Sequence, residues 1–201
     1  MTSTGQPQIE IWFEFGSNYS YLSVMRIEAA AAQKRVQVVW KPFLLGPIFK
    51  DFGWSTSPFV LQKEKGQYMW RDMERQCRKY GLPWNRPSAF PRAAILPMRV
   101  AMLGANEPWI AAFSRFVMTQ NFVDDIDIAN EANVRLALGK LGLAADKVIA
   151  DAQTDTNKLA LRTQTERARA LGIFGAPVFF VGDEMFWGND RLDDALMFAA
   201  R

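Results

Sequence analysis

The sequence predicts an α/β fold in which a βαβ unit at the start and a ββα unit at the end build one sheet, with a large all-helical insertion between them. Three observations carry this. Residues 9–15 (IEIWFEF) and 36–40 (VQVVW) read as strands flanking a helix. From about residue 46 to 170 the apolar spacing becomes helical. After Gly172 it reverts to strand, tight turn, strand and helix.

Each element has local grounds. Residues 9–15 alternate apolar and acidic positions around Trp12 and Phe13 until Gly16-Ser17-Asn18 breaks the pattern. A helix follows, with Leu22, Met25 and Ala29 on one face and an alanine run to Ala32. Lys41-Pro42 closes the second strand, and so short a first turn makes this a right-handed parallel unit. The middle opens on loop signals at Gly46-Pro47, Gly53 and Ser57-Pro58. Helical patterns then cover 65–80, 93–103, 108–120, 129–141 and 144–170, the last broken within. Residues 172–177 (GIFGAP) read as a loop, 178–181 as a buried strand, Gly182-Asp183 as a hairpin turn and 184–187 as the partner strand. Gly188-Asn189-Asp190 opens the last helix. Residues 1–45 and 171–201 thus form a thioredoxin-like domain, and 46–170 a helical insertion domain.

Composition narrows the chemistry. With 201 residues, 49% apolar, the chain can bury a core without staples. A net charge of +3 with interleaved signs gives no phosphate-tracking surface, so no nucleic-acid partner is expected. The polar segment 1–8 does not read as a secretory signal, and no run is long enough to span a bilayer. A single cysteine, Cys77, excludes an internal disulfide, and a cytoplasmic location is the simplest reading. There is no histidine at all. That removes Ser-His-Asp and Cys-His catalysis and His-ligated zinc, and no metal site is expected. The chemistry must come from carboxylates, Ser, Lys or Tyr, or from something the protein binds.

Several residues could carry it. Ser17 stands where the first strand meets the first helix: it can cap the helix, or present a hydroxyl to an anion such as a thiolate drawn there by free amides. Ala176-Pro177 precedes a strand, where a trans bond is ordinary and a cis bond would turn the Ala176 backbone outward. Asn189 and Asp190, ahead of Asp193 and Asp194, read as an N-cap with dipole-favoured acids, or as a seat for an amino-acid head group. Lys65 reads as a solvated basic helix start. Cys77 shares an apolar face with Met73 and reads as a buried, inert thiol. Trp54, Trp70, Trp84 and Trp187 are core residues or the lining of an aromatic pocket.

Three stretches resemble a known family: FEFGSNYSYL at 13–22, KGQYMWRD at 65–72 and GIFGAPVFFVGDEMFWGNDRL at 172–192. They are similar to those of 2-hydroxychromene-2-carboxylate isomerases, relatives of the kappa-class glutathione transferases in the DsbA-like branch of the thioredoxin superfamily. The resemblance covers nearly the whole chain. It implies a glutathione-dependent cis–trans isomerase of aromatic, naphthalene-type catabolism, working by reversible thiol addition on a small aromatic carboxylate. It further implies that Ser17 faces the glutathione sulfur and that the backbone of Ala176, before a cis Pro177, pairs with the cysteinyl part. Asn189 and Asp190 would hold the γ-glutamyl end, and Lys65 would reach glutathione from the helical insertion. Lys41 and Arg92 are expected as contacts for the substrate carboxylate, and relatives of this kind are commonly homodimers.

Two positions depart from the family pattern. Asn18 replaces the usual proline after the serine, and Val60 replaces the asparagine of a Ser-Pro-Phe-Asn stretch. They leave the exact substrate open, and two other readings stand beside the isomerase: a kappa-like transferase that conjugates electrophiles, and a noncatalytic binding relative. A dithiol oxidoreductase is excluded, because Ser17 and Ser20 stand where thiols would be needed.

Overall fold

A computed structural model describes residues 6–201; the first five residues of the polar segment, and with them the start of the 1–45 half, lie outside the described residues. Four strands form one sheet in the order β2-β1-β3-β4, with β1 at Gln8–Phe13, β2 at Gln37–Pro42, β3 at Val178–Val181 and β4 at Glu184–Trp187. β1 runs parallel to β2, with Ile11 opposite Trp40, and antiparallel to β3, with Ile11 opposite Phe179. β3 and β4 make the expected hairpin, turning at Gly182. Pro42 fits inside a strand because β2 is an edge and needs no donor there.

The period-two pattern of β1 separates two apolar layers. Ile9, Ile11 and Phe13 face a large core that also contains Tyr21, Met69, Phe113 and Phe122, so the helical segment packs directly on the sheet. Trp12 faces the other way, with Phe43, Ile48, Ala168 and Phe180. Its indole donates to Glu10 at 2.9 Å, and Glu10 also holds Lys41 at 3.4 Å.

Where one first helix was expected there are two, α1 at Asn18–Val24 and α2 at Ile27–Gln33. The break at Met25-Arg26 coincides with a demanding side chain. The Arg26 guanidinium lies 3.5 Å from the Tyr80 ring centre, donates to Asn189 at 3.0 Å and reaches Asp193 at 3.6 Å. The segment expected as loop holds two short helices, α3 at Leu45–Asp51 and α4 at Pro58–Leu61. Pro47 falls in the first turn of α3, and Ser57 caps α4 with Pro58 at its first position; both are places where proline costs a helix nothing. Then come α5 at Lys63–Tyr80, α6 at Ile95–Leu103, α7 at Ile110–Phe122 and α8 at Glu131–Lys140. The break expected within 144–170 lies between α9, Ala145–Ala152, and α10, Asp155–Ala170, where Thr154 caps the second helix. A 3-10 turn at Asn189–Arg191 leads into α11, Leu192–Ala199. Among the described residues no helix is long and apolar enough to cross a membrane.

Gly66 has a structural reason to be glycine. It lies inside α5, and a Cβ there would stand 2.1 Å from the Phe59 carbonyl oxygen of α4. Helix propensity alone makes Gly66→Ala stabilising by about 1 kcal/mol. The contact reverses the sign: Gly66→Ala is expected to destabilise by roughly 1–3 kcal/mol, read as a lower denaturation midpoint.

Candidate active site

β1 ends at Phe13, and the four residues after it make a tight turn into α1, in which the Ser17 N–H donates to the Glu14 carbonyl at 3.0 Å. Ser17 has extended backbone and caps α1: its Oγ accepts from the Ser20 N–H at 3.2 Å. The same hydroxyl donates to the Ala176 carbonyl at 3.0 Å, across 159 residues of sequence. Ser17 is therefore both a cap and a cross-link. Asn18 is buried at the first position of α1, and its Nδ2 has no hydrogen-bond partner.

The Ala176-Pro177 bond is cis, as the resemblance implied. The Ala176 N–H takes part in none of the described hydrogen bonds, whereas its carbonyl holds Ser17. Pro177 is buried beneath the loop, and its carbonyl accepts from the Gly188 N–H at 3.0 Å. Gly188 has φ +106°, and a Cβ there would lie 2.5 Å from Asp190 Oδ1, so both conformation and space call for glycine. Asn189 turns its side chain into the core, where Oδ1 accepts from Ser23 at 3.1 Å and Arg26 at 3.0 Å. Asp190 is exposed and pairs with Arg191 at 3.0 Å.

These segments enclose a cleft of about 1090 Å³, which Ser17, Ala176, Asn189 and Asp190 line from the sheet side. Lys65 lines it from α5, and Trp54, Phe49, Phe174 and Trp187 supply aromatic walls. Thus five of the six expected site residues meet at one cleft, and the sixth, Pro177, is buried next to Ala176. Phe174 and Trp187 pack with ring centres 4.6 Å apart. Trp70 and Trp84 are instead core residues, Trp84 stacked on Phe122 at 6.0 Å. Lys65 forms none of the ion pairs among the described residues.

The two cations expected at a substrate carboxylate are engaged elsewhere. Lys41 pairs with Glu10 and does not line the cleft. Arg92 sits in the cleft wall, after a cis Phe90-Pro91 bond, but its guanidinium is buried. It donates to Asn121 Oδ1 at 3.0 Å, to the Asn121 carbonyl at 3.2 Å, to Ser88 and to the Asp125 carboxylate. Asn121 in turn donates to the Phe15 carbonyl at 2.9 Å, so this network braces the turn that carries Ser17. Asp125, held below the ordinary carboxylate range mainly by the Ser88 N–H and by Arg92, stays charged at neutral pH. Cys77 is buried, and desolvation pushes its thiol up to about 12, so it is inert as expected.

One residue of the cleft escaped the sequence reading. Glu14 looked like the last polar position of an alternating strand, but it lies beyond the strand end, in the turn, and lines the cleft. Burial pushes its carboxyl up to about 7, offset in part by a hydrogen bond from the Gly16 backbone. The signal available in the sequence was its place three residues before Ser17.

The family model of the DSBA-like thioredoxin domain matches residues 8–197. A protein named 2-hydroxychromene-2-carboxylate isomerase from Sphingobium xenophagum is 29% identical over 92% of this chain and 94% of its own. One of the same name from Pseudomonas putida is 28% identical over 92% of this chain and 90% of its own. The crystal structure of a 2-hydroxychromene-2-carboxylate isomerase superposes with a TM-score of 0.83 at 25% identity, covering 92% of this chain and 90% of that one. The cytosolic disulfide reductase DsbM of Pseudomonas aeruginosa, with a TM-score of 0.64, 13% identity and 96% and 95% coverage, shares the fold.

The raised Glu14 carboxyl has a stability consequence. Its contribution is fully favourable below the unfolded value near 4.5 and is lost as pH rises through about 7. Glu14→Gln is therefore expected to match the parent near pH 4 and to exceed it by up to about 3 kcal/mol at pH 8, measured by urea denaturation at both pH values.

Proposed function

From the premise that the chain belongs to the DSBA-like thioredoxin family, we propose that it is a glutathione-dependent isomerase converting 2-hydroxychromene-2-carboxylate to trans-o-hydroxybenzylidenepyruvate. The observation that carries the proposal is the serine at the head of α1, bonded to the Ala176 carbonyl at the cis-proline loop. An oxidoreductase needs a thiol there. A serine leaves the nucleophile to be brought by a ligand. The isomerase relatives, matched over nearly their full length, support the substrate class.

The residues present fit a small peptide thiol. Ala176 offers an unused N–H and a carbonyl, the pair that a peptide unit takes up in strand-like fashion. Lys65, free of ion pairs, suits a carboxylate, and Asp190 with the amides of the 3-10 turn suits an amino-acid head group. The unpartnered Asn18 Nδ2 is a further polar group beside Ser17. Bound glutathione would supply a thiol able to add to an activated double bond and leave it again.

The protein's own part is binding and orientation. The Ser17 hydroxyl proton is committed to the Ala176 carbonyl. For it to turn to a sulfur, that carbonyl must take another donor, and a ligand peptide N–H is of the right kind. One ligand thus frees the hydroxyl by taking its acceptor. Phe49, Trp54, Phe174 and Trp187 offer apolar area to a fused aromatic ring and exclude water from it.

The ultraviolet spectrum of 2-hydroxychromene-2-carboxylate mixed with the protein, with and without glutathione, tests the proposal. Conversion that requires glutathione is expected. Faster conjugation of a chloronitrobenzene would favour the transferase, and failure of millimolar glutathione to bind would favour a noncatalytic role. Ser17→Ala is expected to lose roughly 1 kcal/mol of stability from the cap and to lower kcat at least about tenfold. It should also raise the pKa of the bound thiol in a thiolate absorbance titration; an unchanged titration would rule out the role given to Ser17.

A further inference from the structure

Glu14 lines the cleft to which the thiol and substrate are assigned. It shares with Ser17 the turn that ends β1, and the two residues line the same cleft, three positions apart. The turn is held rigidly: Asn121 bonds the Phe15 carbonyl, and a Cβ on Gly16 would be 3.0 Å from the Arg92 carbonyl and 3.3 Å from both Glu14 carboxylate oxygens. The carboxylate is thus folded back over Gly16.

No charged partner neutralises it among the described ion pairs. Arg92, on the adjacent wall, turns its guanidinium to Asn121 and Asp125. Leu44 and Leu45 after β2 are apolar, and Lys41 on β2 holds Glu10. From α5 the cleft receives Lys65, Tyr68, Gln76 and Asp72, the last bonded by the Tyr19 hydroxyl at 2.8 Å. Asp190 and Arg191 at the far side pair with each other. The geometry leaves a part-buried carboxyl in the cleft lining, held by the Gly16 backbone and by none of the described ion pairs.

We propose, resting on the isomerase reading, that Glu14 is a catalytic residue that relays the substrate's own proton from its ring-carbon hydroxyl to its phenolic oxygen. In 2-hydroxychromene-2-carboxylate the hydroxyl and the ring oxygen share one carbon. The Glu14 carboxylate takes the hydroxyl proton, and that O–H electron pair becomes the second bond of a ketone. The bond from carbon to ring oxygen breaks, leaving its pair on oxygen as a phenolate. Protonated Glu14 then returns the proton to this oxygen. Every atom and charge is restored at Glu14 each turnover, and no outside donor is needed. A group that alternates between acid and base works best when it titrates near the operating pH, and in a chain without histidine the cleft offers Glu14.

Three variants and one binding probe test this. The parent kcat is expected to fall as pH drops through about 7, because the carboxylate is the form that starts the relay. Glu14→Gln should lower kcat by about 10²–10⁴-fold and remove that acid limb, with glutathione affinity unchanged. Glu14→Asp should recover part of the rate, and Ser17→Ala should keep the limb. The probe, 3-(2-hydroxyphenyl)propanoate, cannot react. Its affinity for the parent should tighten as pH rises through about 7, where its phenol can donate to the carboxylate, and be flat for Glu14→Gln. Retention of the parent rate and acid limb by Glu14→Gln, or the same probe titration in both proteins, overturns the proposal. A parent with no glutathione-dependent isomerisation overturns the isomerase reading instead, while the probe titration still decides whether Glu14 receives a phenol.

Discussion

The pairing of β1 with β3 is the constraint on which the rest depends. β1 is the first strand and β3 lies more than 160 residues later, yet Trp12 stands opposite Val178. That register brings the end of β1 to the start of β3. The turn carrying Glu14 and Ser17 and the loop carrying Ala176-Pro177 must then face each other, and the Ser17–Ala176 bond is the outcome. A slip of one residue would turn Ile9, Ile11 and Phe13 out of the main core, so burial on both faces makes this register the stable one.

The helical segment completes the site by charge as much as by shape. The buried Arg92 pairs with the partly exposed Asp125, and Asn121 couples that pair to the Phe15 carbonyl. Buried charge of this kind contributes little net stability, but losing one partner strands the other, so such a network fixes geometry. Here it fixes the turn beneath the cleft. It also engages the Arg92 guanidinium away from the cleft, leaving Lys65 and Glu14 as lining groups outside the ion pairs of the described residues.

Much of this was legible in the sequence, because it depends on local chemistry. The strands were visible from alternation, the hairpin from Gly182-Asp183, and the Ser17 cap and the Ala176-Pro177 loop from their places at element ends. What escaped is tertiary in origin. Gly46, Pro47 and Pro58 read as loop markers because a proline in the first turn of a short helix looks the same as one in a turn. The split between α1 and α2 coincides with Arg26 reaching Tyr80, Asn189 and Asp193, none of them near it in sequence. Arg92 looked like a free cation because its partners are about thirty residues away. Glu14 reads as a strand residue because alternation continues past the point at which pairing stops.

Because the sheet is closed by residues 178–187, the order of biosynthesis leaves a long interval in which it is unfinished. β1 and β2 emerge from the ribosome together and can pair at once, but the other edge of β1 has no strand to meet until nearly the whole chain has been made. During that interval Ile9, Ile11 and Phe13 lie beside an unpaired row of backbone amides and carbonyls, the arrangement that recruits strands from other molecules. α2 and the helices of the insertion precede β3 in the chain and pack on the apolar face, but they do not occupy the edge. A chain cut short before residue 178 would therefore keep β1 and β2 but leave one edge of β1 without its strand, an open template for pairing between molecules.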